Sequence, residues 1–277
     1  MQFYKFTFLL LIFLSLELQA QTIVPTSTKP FNIGETIEFH SEILDENRTL
    51  NIYLPNGYSP DSLKKYPVIY LLDGTVDEDF IHVVGLVQFG SFSWIEMIPE
   101  SIVVGIANVD RKRDFTFPTN NVKDKADFPT TGGSEKFIQF IESELEPFIE
   151  SNYKTDTINT IIGQSLGGLL ATEILFKRPD LFDNYIIVSP SLWWDDESLL
   201  KLEPTNFAGN KSIYIGVGKE GSIMEKDAKK LYKKLNSLKM KNAKIYFEFF
   251  EKQTHADALH LAVYSAFEKI FKIDKVH

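Results

Sequence analysis

The chain has 277 residues, 44% of them hydrophobic and 24% charged, with a formal net charge of −9. This composition suits one sizeable packed core and excludes a disordered chain, and the negative balance argues against nucleic acid or an anionic membrane as partner. There is no Cys, which excludes disulfides, thiolate metal sites and a Cys nucleophile.

At the N-terminus Lys5 precedes an apolar run over residues 6–16, broken only by Thr7 and Ser15 and followed by Leu18-Gln19-Ala20. Residues 1–20 therefore read as a signal peptide for export to the periplasm or beyond; the run is too short to span a bilayer, so no stable membrane anchor is expected. Residues 21–34, rich in Thr, Pro and Asn, read as a lead-in, and residues 35–277 as a single domain. Residues 36–40 and 50–54 alternate polar and apolar around the turn signal Asp45-Glu46-Asn47, as in an antiparallel hairpin at a sheet edge. Continuous apolar runs follow at 68–72, 102–106, 160–162, 185–188, 213–217 and 245–250, the pattern of strands covered on both faces. Helical spacing appears between them at 135–149, where Pro147 predicts a kink or early end, and at 166–177, 227–238 and 258–270. Strands alternating with helices predict an α/β fold, a mostly parallel sheet with helices on both faces and a ligand site beyond the carboxyl ends of its strands.

One motif sits at such an end. Gly163-Gln164-Ser165-Leu166-Gly167 follows the strand around Ile161 and opens the helix from Leu166. A sharp strand-to-helix turn exposes the Ser hydroxyl, so Ser165 is the expected nucleophile of an α/β-hydrolase. The alternative is an ordinary Ser in a Gly-rich turn. A hydroxyl needs a base. Of the five His residues, His255 lies in the polar loop after the last predicted strand, where this fold delivers its imidazole, whereas His260 falls within the following helix. The third member should be a carboxylate, and Glu220, after the run at 213–217, is preferred over Glu225, Asp227 and Asp195; a Ser–His dyad without an acid stays open. For the oxyanion, the N–H of Leu166 is one expected donor and that of Gly74 or Thr75 the other, with Thr75 preferred.

Added to these residues, Tyr70-Leu71-Leu72-Asp73-Gly74, the segment from Val104 through Asp110-Arg111-Lys112-Arg113-Asp114 to Thr116, Ser189-Pro190-Ser191-Leu192-Trp193-Trp194 and Thr254-His255 resemble the esterase D / enterochelin-esterase-like family of α/β-hydrolases, from about residue 36 to the C-terminus. The resemblance implies carboxylic-ester hydrolysis through Ser165 and His255 with no metal or organic cofactor. It implies a small-molecule ester substrate such as a siderophore ester, a feruloylated sugar or a simple acyl ester. Arg111 is the candidate for substrate contact and Arg113 for a structural ion network. Trp193 is a candidate pocket wall, with a core position as the competing reading. The chain departs from the family pattern at Phe117, which separates Thr116 from Pro118 and weakens any inherited role for that loop. Acyl transfer on the same triad and a non-catalytic binding protein on the same fold remain alternatives. The Lys-rich stretch from Lys226 to Lys244, with Leu231 and Leu235 on its other face, reads as a solvated helix rather than a polyanion site.

Overall fold

The structure, a computed structural model, describes residues 24–272, so the expected signal segment 1–20 and His277 lie outside the described residues. Residues 24–32 form no helix or strand and are exposed.

From Ile33 onward the chain begins with the expected hairpin, β1 (Glu35–Ser41) and β2 (Glu46–Tyr53), which turns at Asp45 with φ 53°. Then come β3 (Tyr66–Leu71), α1 (Phe80–Gly90), β4 (Ile102–Ile106), the short helices α2 (Arg111–Asp114) and α3 (Val122–Asp127), and α4 (Ser134–Phe140) running into α5 (Glu146–Asn152). The second half is β5 (Thr155–Gln164), α6 (Leu166–Lys177), β6 (Asn184–Val188), α7 (Trp194–Lys201), β7 (Lys211–Gly218), α8 (Ser222–Ser237), β8 (Ala243–Phe250) and α9 (Ala258–Ile270). The described strands form one sheet in the order β1-β2-β4-β3-β5-β6-β7-β8, antiparallel across β1, β2 and β4 and parallel elsewhere.

The continuous apolar runs are explained by two cores. Tyr70 and Leu72 of the β3 segment join residues of α4, α5, α6 and α8 on one face. Ile69 and Leu71 face the other way and join α1 and α9. A strand buried on both faces has no polar side to show. Strand order reverses between β3 and β5, and there the carboxyl ends of adjacent strands diverge into loops that leave a crevice.

Pro147 does not end its helix. The backbone widens into a π turn over Ile141–Leu145 immediately before Pro147, which stands at the start of α5. The helix thus continues to Asn152. In α1, where most of the eleven residues are apolar, Phe80, Val83, Val84 and Val87 are buried, and so little polar contrast hides the helical period.

Arg48 of β2 is fully buried beneath α2. Its guanidinium donates to Asp114 Oδ2 and Glu46 Oε1, both at 2.8 Å, while Arg113 donates to Asp114 Oδ1 at 2.8 Å and to Glu46. This ion network, expected for Arg113, fixes the turn from which Arg111 projects. Arg48→Met keeps the volume but strands the Asp114 charge against one remaining cation. It should lower unfolding free energy by about 3 kcal/mol, read by urea denaturation at neutral pH.

Candidate active site

Ser165 joins β5 to α6 with φ 60° and ψ −119°, a conformation that side chains rarely adopt. The bend needs Gly163, because a Cβ there would lie 2.4 Å from the Gly167 carbonyl oxygen. Gly167 is less constrained, since its Cβ would meet neighbours at 3.4 Å, an ordinary contact. Leu166, the first residue of α6, has no helical acceptor for its N–H, and the helix end directs partial positive charge to the same point.

The loop after β8 brings the imidazole from the far side of the sheet. Lys219 N–H donates to Gln253 O at 2.6 Å, and the Gln164 side-chain amide donates to His255 O, also at 2.6 Å. His255 thereby joins Ser165, Gln164, Asp73, Glu78, Asp79 and Arg111 around one open cleft of about 410 Å³. Its Nδ1 meets Glu220 Oε2 at 2.6 Å. The other carboxylate oxygen accepts from Gly218 N–H at 2.9 Å and from the Ser189 hydroxyl. Burial raises the pKa of Glu220, but the donors His255, Ser189 and Gly218 outweigh it and hold the carboxyl below its usual range.

Of the alternative acids, none stands beside His255. Glu225 accepts the N–H groups of Glu220 and Gly221 at 3.1 and 2.9 Å. Asp227 is buried against Lys230, and Asp195 accepts from Thr119 and Asn120 across the molecule. His260 is exposed on α9 and His82 on α1. No hydrogen bond joins Ser165 Oγ to His255; the hydroxyl meets Ser191 Oγ at 3.3 Å.

On the opposite wall, Gly74 N–H is taken by Ile106 O at 3.0 Å, which removes it as an oxyanion donor. Among the described residues Thr75 N–H meets no acceptor, and the loop is braced by Asn51 donating to Gly74 O at 2.8 Å.

Arg111 is placed as expected at the cleft, and the expectation for Trp193 is corrected. The Arg111 guanidinium is bound to Asp73 through Nε at 2.6 Å and Nη2 at 2.8 Å, with a further contact to Gln164 O at 3.3 Å. It links the loop after β3 to the bend at Ser165. Trp193 does not line the cleft; its ring lies 6.0 Å from Phe128 and 6.1 Å from Trp194, packed against the core. An aromatic pair at the start of a helix carries no sequence sign of which ring faces the ligand.

Sequence reasoning missed Gln164 as the tether of the His255 loop, Ser191 beside the nucleophile, and Asp79 in the cleft wall. The usable signal was position, since each lies in or near a loop after a strand's carboxyl end.

A serine on the bend after the fifth strand of such a sheet belongs to the α/β-hydrolase fold, and the class is that of serine carboxylic-ester hydrolases. The family described as "Putative esterase" matches residues 41–260, and the chain belongs to that family. It is 32% identical over 256 residues to the ferri-bacillibactin esterase BesA of Bacillus subtilis, covering 84% of this chain and 88% of that one. An IroE-like serine hydrolase from Shewanella oneidensis superposes with a TM-score of 0.75 at 31% identity, covering 87% of this chain and 82% of that one. The BES protein from Bacillus cereus superposes with a TM-score of 0.80 at 28% identity, covering 90% of this chain and 100% of the other.

Asp79 is half-buried between Asp73 and Glu78. Burial first, then the two neighbouring carboxylates, push its pKa up to about 6. A carboxyl with a raised folded pKa costs nothing below its ordinary value of 3.8 and destabilises increasingly as pH rises through about 6. Asp79→Asn should therefore raise stability by about 1 kcal/mol near neutral pH, after allowance for solvent screening, and leave it unchanged below about pH 4. Urea unfolding at the two pH values checks this; a gain of equal size at both would contradict it.

Proposed function

We propose that Ser165, His255 and Glu220 form the catalytic triad of this ester hydrolase and that its substrates are small-molecule esters of the siderophore class. The observation that carries the reading is the 2.6 Å contact between a buried, ionised Glu220 and Nδ1 of His255, whose loop is tethered to Gln164, the neighbour of Ser165. With Nδ1–H given to the carboxylate, Nε2 is the lone-pair nitrogen and the base. The Ser165 hydroxyl leaves Ser191, passes its proton to Nε2 and attacks the ester carbonyl. The tetrahedral oxyanion takes hydrogen bonds from Leu166 N–H and Thr75 N–H, each worth roughly 3 kcal/mol of barrier. The imidazolium then protonates the leaving alcohol, and water, activated by the same base, releases the acid from the acyl-enzyme. Catalytic hydrogen bonds often tighten only when substrate is bound, which accommodates the resting contact with Ser191.

The substrate class is supported by the relatives, one of which is named for ferri-bacillibactin. An open cleft also admits a bulky ester. Export of the mature chain is supported by the residues of the N-terminal segment, Lys5, the run at 6–16 and Ala20.

Ser165→Ala should reduce hydrolysis of p-nitrophenyl acetate by at least about 10³-fold while leaving the circular dichroism spectrum unchanged. His255→Ala should lose most activity and His260→Ala keep it; the reverse pattern would sink the assignment of the base. A panel of aryl acetates, longer acyl esters, feruloyl sugars and catecholate siderophore esters, with and without an added acceptor alcohol, tests the substrate class. Higher kcat/KM on the simple acyl esters than on the siderophore esters would overturn it, and ester products formed with the alcohol would indicate acyl transfer.

A further inference from the structure

Ser189-Pro190-Ser191, the loop after β6, touches both ends of the arrangement above. Ser191 N–H donates to Ser165 O at 3.0 Å and its hydroxyl meets Ser165 Oγ. Two residues earlier, the Ser189 hydroxyl donates to Glu220 Oε1. We infer that Ser189 is a positioning residue for the reaction, its buried hydroxyl keeping the Glu220 carboxylate charged and turned toward His255. This rests on the triad reading above.

Three observations support it. Ser189 is completely buried, so its hydroxyl has no water to satisfy it and its donation to Glu220 is not exchanged for solvent. Its backbone has φ 44°, a region costly for any residue with a Cβ, and Ser189 N–H donates to Gly216 O at 2.8 Å to hold it there. Gly could adopt this backbone more readily but carries no hydroxyl. Finally, Ser189 and Gly218 N–H both donate to Oε1, which leaves Oε2 for the imidazole alone. A Glu side chain has three rotatable torsions, and two donors on one oxygen select a single orientation of the carboxylate.

The charged groups around Glu220 define the expected pH effect. His255 faces it from the 251–257 loop, and Asp257 in that loop is committed to Thr254. Glu225 of α8 accepts the Glu220 N–H and adds negative charge, and Lys219 precedes it on an exposed position. Removing the Ser189 donor leaves the carboxylate more basic. It then holds a proton on the His255 ring more strongly, so the neutral base appears only at higher pH.

The test compares Ser189→Ala and Ser189→Gly with the unsubstituted enzyme on p-nitrophenyl acetate across pH. Both variants should lose about 10-fold in kcat, the equivalent of part of one charged hydrogen bond, with KM changed by less than about twofold. The acid limb of kcat/KM should move up by about half a pH unit. Ser189→Gly relieves the backbone strain, so it carries the test if Ser189→Ala fails to fold. Normal kcat and an unmoved acid limb in a folded variant would overturn the inference, as would a loss confined to KM. An active Ser165→Ala would instead sink the triad reading itself. An inactive Ser165→Ala beside unaffected Ser189 variants would sink only the role of Ser189.

Discussion

The site depends on one costly piece of backbone. Ser165 is held at φ 60° by three hydrogen bonds from different elements: its N–H to Val188 O, and its carbonyl receiving Leu169 N–H and Ser191 N–H, all at 3.0–3.1 Å. A non-glycine residue in such a region costs roughly 1–3 kcal/mol, which only a surrounding rigid sheet can offset. The fully buried β6 and the start of α6 supply that rigidity. In return the hydroxyl stands clear of the chain at the N-terminal end of a helix, where a developing negative charge is stabilised.

Charge around the bend is divided between two unlike environments. Glu220 sits among donors and stays ionised despite burial, while Asp79, beside two other carboxylates, is pushed toward its neutral form. Carboxyls driven apart in this way are a common feature of catalytic clefts. Arg111, in the cleft lining, is ion-paired with Asp73 through Nε and Nη2. It ties the loop after β3 to the carbonyl of Gln164.

Reach is the second problem the fold solves. His255 follows β8 at the sheet edge, and two strands separate β8 from β5. The loop after β8 is drawn inward by Lys219 on one side and Gln164 on the other. Glu220 and Ser189, at the ends of the two intervening strands, fill the gap. Gln164 of β5, Ser189 after β6, Glu220 after β7 and His255 after β8 are thereby joined by hydrogen bonds, Gln164 through the His255 carbonyl.

Local signals in the sequence were enough for the strands, for the bend at Ser165 and for the loops bearing Glu220 and His255. Burial on both faces writes itself as unbroken apolar runs, and the strand-to-helix reversal demands a glycine two residues before Ser165. What lay beyond the sequence was every choice among neighbours. Glu225, five residues on from Glu220 and within α8, turns its carboxylate back onto the N–H groups of Glu220 and Gly221. The pairing of Arg111 with Asp73, 38 residues earlier, left no sign in the sequence. Trp193 packs inward, and Pro147 is absorbed by a π turn that no periodicity announces. Residue pattern records how deeply a position is buried along its own element; which side chains meet across loops is decided by the packing of elements distant in the chain.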